Sequence, residues 1–171
     1  MAKTSDDRHE LICHMQRSIR YHRARERFFD SWSNAFSFLS LLSGSAVVVS
    51  LLSKSDEWVS LTAGALVAIS QALELVGRIS AKARLHNGLA GEFLALERSM
   101  VRRCDEATND LSEIWSEILL IEAREPPVKR YLDLICHNQV ALALGIDDTE
   151  KLSWFQRTFA QYLDGDSALA K

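Results

Sequence analysis

At 171 residues the chain is long enough for one sizeable core, and its 47% apolar content with a mean hydropathy of −0.06 is that of an ordinary soluble protein. A net charge of −3 gives no basic field for nucleic acid, and three widely spaced cysteines, Cys13, Cys104 and Cys136, fit reduced cytosolic thiols rather than a disulfide framework. The average conceals a segregation: apolar residues concentrate between positions 28 and 77, while the flanks carry nearly all of the charge.

The first ten residues are polar and expected to fray. From about His9 to Phe29 the chain lacks Gly and Pro and is rich in Arg, which predicts a helix at or below the cytoplasmic headgroups. Arg17, Arg20, Arg23, Arg25 and Arg27 lead into Phe28, Phe29 and Trp32, a pattern of basic groups near phosphates and rings at the boundary. Binding of an anionic ligand is a second use for these arginines.

Ser31 to Ser53 follows, with no charge between Asp30 and Lys54. At about 1.5 Å per residue such a helix crosses a hydrocarbon layer of about 30 Å without placing an ion in it. After Lys54, Ser55, Asp56 and Glu57, a second uncharged run, Trp58 to Leu73, continues through Glu74 to Gly77. Two spans, 31–53 and 58–77, joined by a tight turn predict a transmembrane hairpin. A buried hairpin in a soluble all-helical bundle is the competing reading, because Ser33, Ser37, Ser40, Ser43, Ser45 and Ser50 make the first run polar for an anchor. A cleaved signal peptide fits less well, since the apolar run continues past Ser43-Gly44-Ser45 to Leu52. Arg78, Lys82 and Arg84 follow the second run, so the positive-inside bias puts both termini in the cytoplasm.

Ser33, Ser37, Ser40 and Gly44 recur on one stripe of the first span, and Ser60, Gly64, Ala68 and Gln71 make a similar stripe on the second. Small residues let helices of one chain or of neighbouring subunits approach closely, and the same hydroxyls with the Gln71 amide suit a wet path. Glu74, three residues beyond Gln71, is read as an interfacial acid or as a functional charge within the apolar layer.

Past Gly77 the second span is expected to run on as one helix to about Cys104, with Leu85, Leu89, Phe93, Leu96 and Met100 on its apolar face. Residues 105–109 break the pattern, and Asp110 with Glu113 forms a capping pair for a helix bearing Leu111, Ile114, Trp115, Ile118 and Ile121. The short connection predicts an antiparallel hairpin. Pro126-Pro127 ends it, a further helix runs from about Lys129 to Leu144 and stops at Gly145, and Asp147, Asp148 and Thr149 are candidate caps for a last helix carrying Phe155, Phe159 and Tyr162. No strand pattern is present.

Cys13-His14 and Cys136-His137 echo one another, but neighbouring helical residues point about 100° apart and no second ligand follows at i+3 or i+4. A hydrolytic triad has no support, and Gly88 and Gly91 lie inside a helical pattern rather than a phosphate loop. The chain is therefore read as a non-enzyme without metal or cofactor.

The order of a basic helix with Arg23-Ala24-Arg25-Glu26-Arg27-Phe28-Phe29, a tight two-span hairpin and a long helix leaving the second span resembles the SLATT proteins. These are the SMODS- and SLOG-associating two-transmembrane effectors of prokaryotic conflict systems. The resemblance covers most of the chain. It implies a homo-oligomeric pore former of the inner membrane that permeabilises the cell when a partner sensor, often acting through a nucleotide signal, detects infection. It carries over no catalytic residue. The expected fold is an all-α membrane protein: a basic cytosolic or interfacial helix (1–30), a transmembrane hairpin (31–77), a cytosolic helical bundle (78–165) and a disordered tail (166–171), in contact with membrane lipid. A membrane-anchored helical scaffold without a pore is the alternative.

Overall fold

The computed structural model describes residues 2–53, 57–102, 111–146 and 149–163. It is all-helical, and no strand occurs among the described residues. Six helices follow one another there: α1 (Ala2–Ser53), α2 (Glu57–Gly77), α3 (Ile79–Arg102), α4 (Leu111–Glu122), α5 (Arg130–Ala143) and α6 (Trp154–Thr158). Two stretches, one in α1 and one beginning at α2, are long and apolar enough to cross a membrane. The chain divides into two compact units, Glu26–Leu85 and the combination of Met1–Arg25 with His86–Lys171.

The unit of Glu26–Leu85 is a helical hairpin. In the second half of α1 the less exposed positions are Ser33, Phe36, Ser40, Ser43, Val47 and Ser50, with Gly44 beside Ser43, and in α2 they are Ser60, Ala63, Val67, Ser70, Glu74 and Gly77. Steps alternate three and four residues on both helices, which is the 3.5-residue period that keeps one seam facing a partner along its length. An aromatic ladder of Phe28, Phe29, Trp32 and Phe36 leads into the seam, with the Lys82 ammonium 5.8 Å from the Phe29 ring.

The expected single helix from the second run to about Cys104 is broken instead. Arg78 has φ of 50°, a left-handed conformation that an α-helix of L-residues does not continue through. α3 restarts at Ile79.

In the other unit α1 joins the bundle. Leu11 and Met15 are fully buried with Leu89, Phe93 and Met100 of α3 and Ile114, Ile118 and Ile121 of α4, and Ile12, Ile19, Leu96 and Leu111 pack around them. The helix from about His9 to Phe29, expected at or below the headgroups, thus supplies one wall of the core through Leu11, Ile12, Met15 and Ile19. Leu85, grouped by its spacing with the α3 stripe, is exposed. A second cluster joins Tyr21 of α1 to Leu132 and Cys136 of α5 and to Ala160.

Local chemistry sets the ends of the later helices. At the end of α5, Gly145 has φ of +71°, Gly145 N donates to Leu142 O and Ile146 N donates to Ala141 O, so glycine supplies the left-handed residue of a Schellman stop. Ser153 caps α6: its hydroxyl accepts from Gln156 N while the Gln156 side chain accepts from Ser153 N. Of the caps expected for this helix, Asp147 and Asp148 lie outside the described residues, as do residues 54–56, 105–109, Asp110 and the tail 166–171.

Candidate functional site

Hydroxyls bridge the hairpin seam at three levels. Ser33 Oγ donates to Glu74 Oε1 at 3.3 Å, Ser40 and Ser70 share a hydrogen bond of 2.7 Å, and Ser50 bonds to Ser60. Gln71 Nε2 adds a bond to Ser40 Oγ at 2.7 Å. Small side chains let the backbones come close enough for such short hydroxyls to meet, so the seam that packs is also the seam that is polar.

Glu74 has a second task at the break. Its Oε1 accepts from Ser80 N at 3.0 Å, which satisfies one of the amides that the first turn of α3 leaves without an intrahelical partner. A carboxylate there also faces the positive end of the new helix. Its Oε2 is buried and has no partner among the described residues.

The two predicted stripes separate in the structure. Ser33, Ser40, Ser60 and Glu74 lie in the seam, and Gln71 reaches it from an exposed position. Ser37, Gly64 and Ala68 are exposed, and Gly44 is half-buried at the seam edge. A methyl group added at Gly44 or Gly64 would meet no atom within 4 Å, so neither glycine is required for approach of the two helices within one chain. Ser43, Ser50 and Ser70, buried in the seam, fall outside both stripes. The signal that marks Ser43 and Ser50 is the alternation of steps of three and four that also includes Phe36 and Val47, and Ser70 follows Ala63 and Val67 in the same way.

A second polar cluster, also not anticipated, lies in the bundle. His22 and His86 are buried side by side with Nδ1 to Nδ1 at 2.9 Å, and His22 Nε2 lies 2.9 Å from Glu125 Oε1. Burial, then His22 and Arg25, push His86 down from its ordinary 6.5 to about 4. Phe93 stacks on His22 and the Tyr21 ring stands edge-on to both imidazoles. Tyr21 Oη accepts from Lys129 N at 2.9 Å, and burial raises the phenol above its ordinary value.

Around this cluster three of the five arginines expected at headgroups have protein partners. Arg17 makes a two-pronged pair with Asp133 at 2.7 Å on each prong, Arg23 donates to Asn87, and Arg25 Nη1 donates to the backbone and side-chain oxygens of Gln161. The Cys13-His14 and Cys136-His137 echo is partly gathered: Cys13, His14, Arg17, Trp115 and His137 line a cavity of about 390 Å³, while Cys136 is buried in the core. No group of three or more His, Cys, Asp or Glu side chains is placed to hold a metal among the described residues. No protein-family model, curated protein or solved structure matches the chain.

Proposed function

We propose that this chain is an oligomeric two-span membrane effector of the SLATT kind, which permeabilises the inner membrane when a partner sensor engages its cytosolic helices. The observation that carries the membrane part is an inverted hairpin. Phe38, Leu41, Val49, Leu61, Ile69 and Leu73 are all more than half exposed, while Ser43, Ser50 and Ser70 are buried between the helices. In water that arrangement exposes a large apolar surface and hides its polar groups; in lipid it is the favourable one, because outward apolar side chains meet acyl chains and inward hydroxyls meet one another. The rings of Phe28, Phe29 and Trp32, with Lys82 beside Phe29, supply the aromatic and basic boundary.

Pore formation requires assembly, since two helices cannot enclose water by themselves. The exposed Ser37, Gly64, Ala68 and Gln71 give a neighbouring subunit a small-residue surface to pack on. A specific observation favours the second reading, a membrane-anchored docking module without a pore: the Ser40, Ser50, Ser60 and Ser70 hydroxyls are bonded within one hairpin rather than turned to a common path. Reconstitution separates the two. The effector reading expects purified oligomer, with its activating partner, to release ions from loaded liposomes and to collapse membrane potential in cells; sealed liposomes under the same conditions leave the tethered module as the better account.

A further inference from the structure

The connection between α4 and α5 is held by side chains because its own backbone cannot hold it. Arg124 N and Glu125 N still donate to Ile121 O and Glu122 O, but Pro126 and Pro127 have no N–H to offer, and Lys129 N donates to Tyr21 Oη. Glu125 is fixed by His22, and His22 by His86. At the two ends of the connection, His14 meets Glu122 at 2.8 Å and Arg17 meets Asp133.

We propose that the Glu125–His22–His86 chain is a proton-operated latch, which keeps the Glu122–Arg130 connection on α1 and α3 and releases it on acidification. The contact between the two Nδ1 atoms needs one N–H and one lone pair. With both rings neutral, His86 donates to His22 while His22 Nε2–H donates to Glu125. With one extra proton, His22 carries both N–H groups, balanced by the Glu125 carboxylate, and donates to a neutral His86. A second extra proton puts N–H against N–H at 2.9 Å and breaks the contact.

The charges around the pair fit that order: Arg25 on α1 opposes a cation at His86, while the Glu125 carboxylate on the connection lies 2.9 Å from His22 Nε2 and Asp133 on α5 is paired with Arg17. A cavity of about 70 Å³ lined by Ser18, Tyr21, His22, Glu122 and Glu125 has room for water at the Glu125 end of the chain. In the released state His86 regains its ordinary affinity for protons. Below about pH 6.5, therefore, each unit of acidification raises the released population by up to about tenfold, until the closed state itself binds the proton. The latch stands apart from the membrane reading, because every group in it belongs to the helical bundle.

The test is amide hydrogen exchange of residues 122–130 in the full chain, in detergent or nanodiscs, between pH 8 and pH 5 and corrected for intrinsic rates. The expected result is near-constant protection from pH 8 to 7 and a loss of about tenfold to thirtyfold by pH 5, with peptides containing Leu11 and Phe93 still protected. His86→Phe keeps a flat ring of similar size without a proton site and is expected to give a profile that varies less than about twofold. Because that variant risks misfolding, histidine labelled at Cε1 in the wild-type chain gives an independent reading, in which His86 stays neutral down to pH 5. A flat wild-type profile, an equal acid response in His86→Phe, a His86 ring that titrates near 6.5, or parallel loss of protection in the core peptides would each overturn the latch.

Discussion

Glu74 shows how one residue can resist a reading from composition. In sequence it is an acid at the end of an apolar run, which invites a functional charge; in the structure its Oε1 holds both Ser33 of α1 and the Ser80 amide where α3 restarts. The need for that cap follows from Arg78 at φ of 50°, and no local rule marks an arginine for a left-handed conformation. Serines were legible as small and polar, but which of them face the seam depends on a partner helix. Glu74→Ala should cost about 1 kcal/mol, the usual loss for a helix cap, whereas Glu74→Gln, which keeps a side-chain oxygen, should cost less. Hydrogen exchange at the Ser80 amide checks this: it should accelerate in the Ala variant and stay near wild type in the Gln variant. Equal acceleration in both would mean that the carboxylate charge, not the acceptor, holds the break.

At the scale of elements, the α3 and α4 stripes were readable because Leu89, Phe93, Ile114, Ile118 and Ile121 recur at helical spacing on otherwise polar helices. The share of α1 in the same core was not readable. Leu11, Met15 and Ile19 do recur at helical spacing, but the arginines around them suit a lipid surface as well as a bundle, and Asp133, Asn87 and Gln161, the partners of Arg17, Arg23 and Arg25, lie more than 60 residues away in sequence. The α3 restart was hidden for a related reason, since helix propensity is high on both sides of it. Phe93 is fully buried at the centre of this three-helix contact and stacks on His22. Phe93→Ala should lower bundle stability by about 3 to 5 kcal/mol, while Leu94→Ala, at a half-exposed position, should cost far less. Denaturant melts of the two variants, monitored by protease resistance of the bundle, measure the difference. Similar losses for both would remove Phe93 from the core.

For the whole molecule, the sequence carried the hairpin because an uncharged run of sufficient length is a global property, insensitive to register. It could not carry the distinction between contacts within a chain and contacts between chains, since one small-residue stripe serves either. On the proposed membrane reading, Ser55→Cys in a cysteine-free background should react with an impermeant maleimide in intact cells and Ser5→Cys should not, as both termini are expected in the cytoplasm. The opposite labelling would invert the topology. Assembly has a sharper test in Gly44 and Gly64. A Cβ at either position meets nothing within 4 Å inside the chain, so Gly64→Leu should leave the folded hairpin and its insertion unchanged, and Gly44→Leu nearly so. If neighbouring subunits pack on these glycines, a leucine side chain holds their backbones apart, and cross-linked oligomer should fall together with any ion release. Ser70→Leu provides the contrast, because Ser70 is buried against Ser40 and its enlargement should disrupt the hairpin itself. Oligomer and ion release that survive Gly44→Leu and Gly64→Leu would place the subunit contacts elsewhere, and with them any path through the membrane.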